Sequence, residues 1–383
     1  MKRLAHLSDS HFDERGRLDD VRAVHGAFIR QAAEAKVDLI VHAGDLYERR
    51  STPLERLAAV DFLIGAATVA PVFVVKGNHD QSRDIELFNT IHAHNRIAAV
   101  ELVEWGRLGL GGFAPIALPW FDKAHLAGTL GPEVDAETTR QAAIVAAESM
   151  LSGIRAMTHQ AQQDGLIPIL VSHALVAGSE VSTGQTLIGI GVEFSPNALL
   201  ETGVEYVALG HVHKTQEWLG GRVCYSGSPA RHNFGEMEEK GWRLVEFDDA
   251  GRFVSNTFMP LPAREMRHID LDFRTADDVL QIDLSGWSPF SGCKGALVRV
   301  RYYTTAELLP MIDRAILEKG ALAAGAAEVQ VEAVVEPAVR QRARSAETAA
   351  AITPAEKLTS YLEAKRIEAD RDRLLAKLDT LRA

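Results

Sequence analysis

Three polar side chains, Asn78, His79 and Asp80, directly follow an apolar run and a glycine in the stretch VFVVKGNHD. The apolar run, residues 72–75, is typical of a buried parallel strand, and Gly77 allows a tight turn at its end. Ligands of open α/β sheets collect at the carboxyl ends of strands. An amide oxygen, an imidazole and a carboxylate at such an end can bind a metal, move a proton and orient the group that moves it.

Four other predicted strands also end in side chains that can bind metals. Asp-x-His and His-x-His place alternate residues on one side of an extended backbone, so both members of a pair are expected to face one ion. Oxygen and imidazole donors without thiolates favour manganese, iron or zinc. With Asn78 there are seven candidate ligands, which suits two ions better than one. The other six are Asp9, His11, Asp45, His173, His211 and His213.

Apolar periodicity predicts an α/β fold in which strands and helices alternate, and therefore a parallel layered sheet with right-handed crossovers. A long Ala-rich helix at 136–163 interrupts this alternation. Three short strands near the end of this region are predicted to be antiparallel additions. The predicted strands are 3–7, 38–43, 72–75, 167–171 and 206–209, the additions are 222–225, 243–247 and 256–260, and the early helices are 18–35 and 53–67.

The character of the chain changes near Pro262. Residues 262–335 are predicted to form a small α/β module with a helix at Thr305–Lys319. Residues 336–352 are rich in Ala and Arg without an apolar face, which is typical of a linker. Residues 353–383 are predicted to be a charged helical segment, in which Thr353 caps the helix with Glu356 three residues later.

Composition excludes several classes of protein. The 383 residues carry a formal net charge of −11, which argues against broad nonspecific attraction to nucleic acid but allows a local basic patch or bound cations. No apolar run approaches the roughly 20 residues of a membrane span, and no secretory signal precedes the first strand. Cys224 and Cys293 fit neither a disulfide framework nor a thiolate site, so a reducing, cytoplasmic compartment is expected.

The ordered pattern Asp-x-His, Gly-Asp, Gly-Asn-His-Asp, Ser-His and Gly-His-x-His resembles the calcineurin-like metallophosphoesterase superfamily over residues 1–228. The segments YSGSP at 225–229 and FGE at 234–236 are similar to the end of the nuclease domain in the SbcD family. That family is the bacterial and phage counterpart of a eukaryotic double-strand-break repair nuclease subunit. The resemblance implies a layered metallophosphoesterase β-sandwich with flanking helices at 1–261. It also implies a capping, DNA-binding domain at 262–335 and an ATPase-binding segment at 353–383.

The resemblance further implies roles for the candidate residues. The family implies two divalent ions, with Mn²⁺ as the metal, and Asp45 would bridge them. His79 would donate a proton to the leaving oxygen or stabilise transition-state charge, and Asp80 would fix its tautomer and keep it charged. One ion would be held by Asp9, His11, Asp45 and His213, and the other by Asp45, Asn78, His173 and His211.

Several residues are predicted with less support from motifs. Relative to the family pattern, Ser10 and Asp13 leave the ligands intact but change the predicted cleft wall. Trp120 and Phe121 are predicted to pack rather than to stack on bases. His42, His92, His94 and His232 receive no role. The candidate DNA contacts are Arg49, Arg50, Arg83, Ser228 and Arg231.

The sequence is therefore interpreted as the nuclease subunit of an SbcCD-like repair and recombination complex. The family implies exonuclease action on double-stranded DNA ends and endonuclease action on single-stranded or hairpin DNA. It also implies an SMC-type ATPase partner and a homodimer within a heterotetramer. One alternative is a stand-alone phosphatase or cyclic-nucleotide phosphodiesterase, which residues 227–236 and the sequence after residue 262 argue against. A second is a mainly architectural subunit, which would have no use for an intact ligand set.

Overall fold

The computed structural model describes residues 1–15, 17–104, 110–121, 135–185, 192–280, 289–336, 353–364, 373–375 and 377. The strands are β1 Lys2–Leu7, β2 Leu39–His42, β3 Val72–Val75, β4 Ile97–Val100, β5 Phe113–Leu118, β6 Ile167–His173, β7 Leu175–Val176, β8 Glu193–Phe194, β9 Tyr206–Gly210, β10 Gln216–Trp218, β11 Val223–Tyr225, β12 Gly241–Phe247, β13 Phe253–Pro260, β14 Met266–Phe273, β15 Leu297–Thr305 and β16 Glu328–Glu336. The α-helices are α1 Leu18–Ala35, α2 Pro53–Ala66, α3 Ser82–Glu86, α4 Ala136–Gln163, α5 Pro196–Leu200, α6 Ala276–Leu280, α7 Arg314–Ala323 and α8 Pro354–Ala364. The 3₁₀ turns are Leu87–Thr90, Leu219–Gly221 and Leu309–Met311.

The first large sheet has the strand order β13-β12-β1-β2-β3-β4. Strands β1 to β4 run parallel, as the alternation of strands and helices predicts. Strands β12 and β13 are added antiparallel at the side of β1, which confirms that part of the prediction. The carboxyl ends of β1, β2 and β3 therefore lie side by side.

The second large sheet has the order β10-β11-β9-β6-β5. The prediction that residues 222–225 form an antiparallel addition is wrong for their main neighbour, because β11 pairs parallel with β9. The reason is the short strand β10, which the sequence prediction omitted. It carries the chain back along the edge, so β11 returns in the direction of β9 and pairs antiparallel only with β10.

The two sheets pack face to face, with helices on both outer faces. In β1, Leu4 packs between the sheets, whereas Ala5 and Leu7 pack under α1 and α2. His6 points the same way as Leu4, and its ring nitrogens lie 2.9 Å from the Tyr206 hydroxyl and 3.0 Å from the Leu209 carbonyl oxygen of the second sheet. Helix α4 covers the outer face of that sheet. This confirms the predicted layered β-sandwich with flanking helices.

Local sequence signals account for helix α2. The Thr52 side chain accepts a hydrogen bond from the Glu55 amide, and the Glu55 carboxylate accepts one from the Thr52 amide, which is a capping box. Pro53 occupies the first turn, where no amide hydrogen is needed. The same reciprocal pair joins Thr353 and Glu356, so the predicted cap of the C-terminal helix is confirmed.

The chain divides into two compact units. A three-stranded sheet has the order β14-β15-β16. The predicted helix Thr305–Lys319 begins too early, because β15 runs to Thr305 and α7 covers Arg314–Ala323. Pro310 lies between them in a 3₁₀ turn and cannot donate the amide hydrogen that a continuous helix needs. One unit is Met1–Ile269, Ser288–Val300 and Ala315–Val331, and the other is Asp270–Trp287, Arg301–Arg314 and Glu332–Ala383.

Two regions of the predicted organisation are only partly described. The linker prediction falls on residues 337–352, outside the described residues, as does much of the segment 365–383. The domain limits at 261, 335 and 352 stay predictions. Among the helices that the structure describes, none is both long and apolar enough to cross a membrane.

Candidate two-metal site

The seven candidate ligands meet at one edge of the sandwich, where the parallel strands of both sheets end. Asp9, Asp45 and Asn78 follow β1, β2 and β3 of the first sheet. His173 is the last residue of β6, and His211 follows β9 in the second sheet. His11 and His213 each lie two residues beyond a ligand of the same loop. The loops after β1 and β2 remain paired beyond the strands, because the Asp9 amide donates to Gly44 O at 3.0 Å and the His11 amide donates to Asp45 O at 3.1 Å.

Three of these side chains, Asp9, His11 and His213, form one compact group of donor atoms. The Nε2 atoms of His11 and His213 are 3.0 Å apart. The Asp9 carboxylate accepts hydrogen bonds from the His211 amide at 3.0 and 3.2 Å, which ties this group to the neighbouring loop. These three residues belong to the set predicted for one ion, and the fourth member of that predicted set is the bridging Asp45.

Asp45, His173 and His211 form a second compact group. Asp45 Oδ2 lies 3.2 Å from His173 Nε2 and 3.9 Å from His11 Nε2, so this carboxylate stands between the two groups. Asn78 Oδ1 lies 2.9 Å from His173 Nε2 and 3.0 Å from His211 Nδ1. The four residues coincide with the set predicted for the other ion.

The backbone at four of these positions is strained. Asp9, His11, Asp45 and His211 have φ angles of 54°, 45°, 53° and 108°, in the region that L-residues other than glycine rarely adopt. The prediction that Asp-x-His lies on an extended backbone is therefore wrong. A left-handed turn, rather than strand alternation, directs Asp9 and His11 into the cleft. Such strain persists when the surrounding structure determines it, and it is concentrated at functional sites.

His79 lies at the mouth of the two groups, with its Nε2 atom 4.0 Å from Asp45 Oδ2. Its Nδ1 atom is 2.6 Å from the carbonyl oxygen of Glu48, so Nδ1 carries the hydrogen of that bond. The Asp80 carboxylate instead accepts hydrogen bonds from the Gly77 amide at 2.9 Å and the Tyr47 amide at 3.0 Å. The predicted direct pairing of Asp80 with His79 is thus replaced by the Glu48 carbonyl. Asp80 ties the loop after β3 to the loop after β2.

Two glutamates behind the histidines were missed by the sequence interpretation. Glu48 Oε2 lies 2.9 Å from His11 Nδ1, and Glu236 Oε1 lies 3.0 Å from His213 Nδ1. In both histidines the other nitrogen, Nε2, faces the cleft. Carboxylates in this position fix the tautomer and raise the basicity of a metal-binding imidazole. The FGE segment was noted in the sequence, but only for its resemblance.

Three further residues of the cleft were also missed or given no site role. Gln185 clamps the His-x-His loop, because its Nε2 donates to His211 O at 2.7 Å and its Oε1 accepts from the His213 amide at 3.1 Å. His232 Nε2 lies 3.2 Å from Asp9 O, and its ring packs against the rings of His11 and His213. The Trp120 ring packs on His211 at a centroid distance of 4.6 Å, as the packing prediction expected. Gln185 and His232 lie in loops, and no strand periodicity in the sequence indicates where these loops are placed.

Ser10 does not line the cleft as the comparison with the family pattern suggested. It is fully buried, and its hydroxyl lies 2.7 Å from Nε2 of both His25 and His42. Because His25 Nδ1 is held by the Val21 carbonyl at 2.6 Å, His25 accepts from Ser10 and His42 donates to it. The serine therefore belongs to a buried polar network under α1.

Opposing charges shift the pKa values of the clustered groups. Burial lowers the pKa of His11 and of His173, but Glu48 beside His11 and Asp45 beside His173 outweigh burial and raise both pKa values to about 9. Burial raises the pKa of Asp45, yet His173 and His11 outweigh it and hold that pKa well below its usual range. Burial and the charge of Asp45 raise the pKa of Asp80 to about 6. Since a metal requires neutral imidazoles, ion binding competes with the protons on His11 and His173.

The five candidate DNA contacts fall into two classes. Arg49, Arg50 and Arg83 are exposed, and Arg49 Nη2 donates to Asp13 Oδ2 at 2.5 Å. Ser228 and Arg231 are buried. Ser228 Oγ donates to Ala230 O, and the Arg231 guanidinium donates to backbone carbonyls of 236, 238, 263 and 264. As positioned, these two residues stabilise the loop rather than present a donor to DNA.

The donor set fits divalent cations. Two donors at right angles around one ion, each about 2.1 Å from it, are about 3.0 Å apart. The spacings between His11 and His213, between Asn78 and His173, and between Asn78 and His211 are 3.0, 2.9 and 3.0 Å. Imidazole, carboxylate and amide donors without thiolate are the ligands of manganese, iron and zinc.

The chain is similar to known proteins in sequence and in fold. The sequence profile of the calcineurin-like phosphoesterase family matches residues 2–215. The chain is similar to the SbcD subunit of the nuclease SbcCD from Staphylococcus epidermidis, with 24% identity over 291 residues, 73% of this chain and 74% of that protein. Among solved structures, it is similar to a dimetal phosphatase from Danio rerio at 13% identity, covering 68% of this chain and 98% of that chain with a TM-score of 0.41. A Thermus thermophilus protein gives 15% identity, 67% and 98% coverage and a TM-score of 0.38.

The profile match has the same extent as the site. It begins at the first strand and ends at residue 215, just beyond His213, so it includes each strand end that carries a candidate ligand. More than half of the chain lies within it. The chain therefore belongs to the calcineurin-like phosphoesterase family.

Proposed function

We propose that this chain is the nuclease subunit of an SbcCD-like complex and cleaves DNA phosphodiester bonds with two divalent ions, most favourably Mn²⁺. The observation that carries the proposal is the convergence of two donor groups around Asp45 with His79 at their mouth. When bound, two such ions supply charge stabilisation for the phosphoryl oxygens and an activated water. The remaining steps concern side chains of this chain.

His79 is suited to act on the scissile phosphate. Its Nδ1–H is engaged by the Glu48 carbonyl, so Nε2 is the nitrogen available to the cleft. The side chain is 15% exposed, so a phosphate in the cleft can reach it. A protonated Nε2 would donate to the leaving oxygen or to a non-bridging oxygen as charge develops.

The proposal that the substrate is DNA rather than a small phosphate ester is supported by the sequence outside the residues that match the family profile. The alignment with the Staphylococcus epidermidis protein covers 291 residues and therefore extends beyond residues 2–215. Exposed Arg49, Arg50 and Arg83 follow two of the ligand loops and would contact the DNA backbone. Action on double-stranded ends and on single-stranded or hairpin DNA, in the cytoplasm, is part of this proposal. So are the capping domain at 262–335 and the linker at 336–352.

One experiment tests the function. The purified chain is incubated with Mn²⁺ and linear duplex, single-stranded or hairpin DNA, or with p-nitrophenyl phosphate, in the presence and absence of the SMC-type ATPase. We expect cleavage of DNA and little hydrolysis of the monoester. A version ending at residue 352 should lose stimulation by the ATPase, because residues 353–383 are proposed to bind it. Rapid hydrolysis of the monoester without cleavage of any DNA would reject the nuclease assignment.

The proposed homodimer has a candidate surface on α2. This helix buries Ala59, Phe62 and Leu63 against the sheet, yet its opposite side exposes Leu57 by 52% and Ile64 by 39%. Exposed Leu54 and exposed Asp61 share this side of the helix, and a patch of exposed apolar side chains with a polar neighbour is typical of an interface between chains. We therefore propose a second copy of the chain as the cover.

Replacement of Leu57 by aspartate is expected to shift the dimer toward monomer. Burying one leucine contributes roughly 1.5–3 kcal/mol, so the dissociation constant should rise at least about tenfold. Size-exclusion chromatography with light scattering over a concentration series measures the change. Val254→Asp, at a position that is also 52% exposed but lies on β13, is the matched control. A Leu57→Asp protein that dimerises like the wild type would exclude this surface.

A further inference from the structure

The two halves of the site differ in the groups that contact the histidine nitrogens on the side away from the cleft. In the half formed by Asp9, His11 and His213, both histidines turn Nε2 to the cleft and Nδ1 to a carboxylate. In the other half, His173 Nδ1 donates to the neutral carbonyl of Ala43 at 2.7 Å. His211 turns Nδ1 itself toward Asn78 Oδ1. Carboxylates therefore support the histidines of one half only.

The carboxylate behind His213 is held in its charged form by its surroundings. Glu236 is fully buried, and its Oε2 lies 2.7 Å from Nζ of Lys240, which is also fully buried. Its Oε1 accepts from Asn233 at 2.9 Å as well as from His213. Lys240 also donates to Ser228 Oγ at 3.0 Å. A buried carboxylate with such partners keeps its charge and fixed orientation, so His213 faces a permanent anion.

The carboxylate behind His11 lies at a similar distance, but it is more exposed and is not aligned as a hydrogen-bond acceptor for His11 Nδ1. Glu48 is 38% exposed at its side chain, and its Oε2 is 2.9 Å from His11 Nδ1. It lies in the loop after β2, and its own carbonyl holds His79. One residue thus positions both a candidate ligand and the candidate proton donor.

From these contacts we propose that Glu48 and Glu236 are positioning residues that make the Asp9–His11–His213 half the tighter metal site, so that the two ions bind in sequence. The inference rests on the proposed two-metal site but not on DNA as the substrate. A carboxylate behind an imidazole increases its basicity, and loss of such a partner typically costs 10–100-fold in metal affinity. The ligands themselves add to the asymmetry. The tighter half has its own carboxylate, Asp9, where the other half has the neutral amide of Asn78.

The test is a calorimetric titration of the metal-free full chain with Mn²⁺, with bound metal counted after dialysis. We expect two ions in two steps. Glu236→Gln keeps an oxygen that can accept from His213 Nδ1, but it removes the charge and places an amide NH₂ where Oε2 accepts from Lys240 and from the His232 amide. It should weaken the tighter step about 10–100-fold and leave the weaker step unchanged. Glu48→Gln should do the same, and because its side chain is partly exposed it is the safer variant for folding.

Two controls assign the steps. Glu238→Gln removes another carboxylate that contacts Lys240, at 2.9 Å, but this residue does not support the His213 ring, so both steps should be unchanged. Asn78→Ala removes a donor of the other half and should weaken only the weaker step. Either of two results would overturn the inference while leaving the two-metal site in place. In the first, the protein binds two ions but Glu48→Gln does not weaken the tighter step. In the second, Glu236→Gln and Glu238→Gln have equal effects. A wild-type stoichiometry of one ion would overturn the two-metal site as well.

Discussion

Replacement of His79 by alanine is expected to lower DNA cleavage by about 10²–10⁴-fold while the metal content stays unchanged. His79 lies 4.0 Å from the nearest oxygen of Asp45 and outside the two ligand sets assigned to the ions, although it forms a third compact group of donor atoms with His11 and Glu48. Its removal therefore takes away the proton donor, or the charge at the phosphate, without opening either ligand set. The loss should appear in kcat, because the interaction strengthens as charge develops in the transition state.

The decisive comparison for His79 is with asparagine. His79→Asn keeps an amide that can donate to the Glu48 carbonyl as Nδ1 does, but it has no counterpart of Nε2. If Nε2 carries the chemistry, the asparagine variant should be as inactive as the alanine variant. Recovery of activity with asparagine would show that the ring only supports the loop. His94→Ala, at an exposed histidine away from the cleft, is the control for loss of a histidine in general.

That the candidate ligands lie close together was predictable, because it depends on topology. Asp9, Asp45 and Asn78 each follow an apolar run, and parallel strands must end at the same edge of a sheet. The sequence therefore indicated which side chains meet before any contact was known. It could not indicate how they meet, because the left-handed φ angles of Asp9 and His11 depend on the loops that pack around them.

Residues that support the ligands could not be found in the same way. Glu48, Gln185 and Glu236 lie in loops whose positions are set by tertiary contacts rather than by hydrophobic periodicity. Glu236 is placed by a buried lysine four residues away, and such a pair looks in sequence like an ordinary surface charge pair. The role predicted for Asp80 failed for a related reason. Adjacency in sequence suggested a partner for His79, but the Asp80 carboxylate turns back to two backbone amides.

Similar limits explain the errors in the fold. The alternating strands and helices follow from apolar runs that are long enough to identify, whereas the β-sandwich was implied only by the family resemblance. The short strand β10, of three residues, carries too little pattern to be recognised, so the direction of β11 was assigned wrongly. In the C-terminal part, the prediction followed the helical spacing of apolar residues across 305–319 and gave too little weight to a single proline that interrupts the helix.

Replacement of Gly77 by alanine is expected to abolish the binding of both ions. A Cβ atom at Gly77 would overlap Asp45 Oδ1 and the Asp45 amide nitrogen, and it would lie 2.7 Å from Asp45 Cγ. The side chain that must move is the carboxylate that stands between the two donor groups, so neither set would remain complete. DNA cleavage should fall by at least about 100-fold, in line with the loss that a displacement of about 1 Å can cause at a catalytic centre.

Metal content after dialysis and the thermal midpoint in EDTA distinguish this effect from a loss of folding. The matched control is Gly153→Ala in α4, where an added Cβ meets nothing within 4 Å. That substitution should leave metal content unchanged and stabilise the helix by roughly 0.5–1 kcal/mol. If Gly77→Ala protein retained two ions per chain, Asp45 could not be the shared ligand in the position that the structure gives it. If it lost only one ion, the carboxylate would serve a single half of the site.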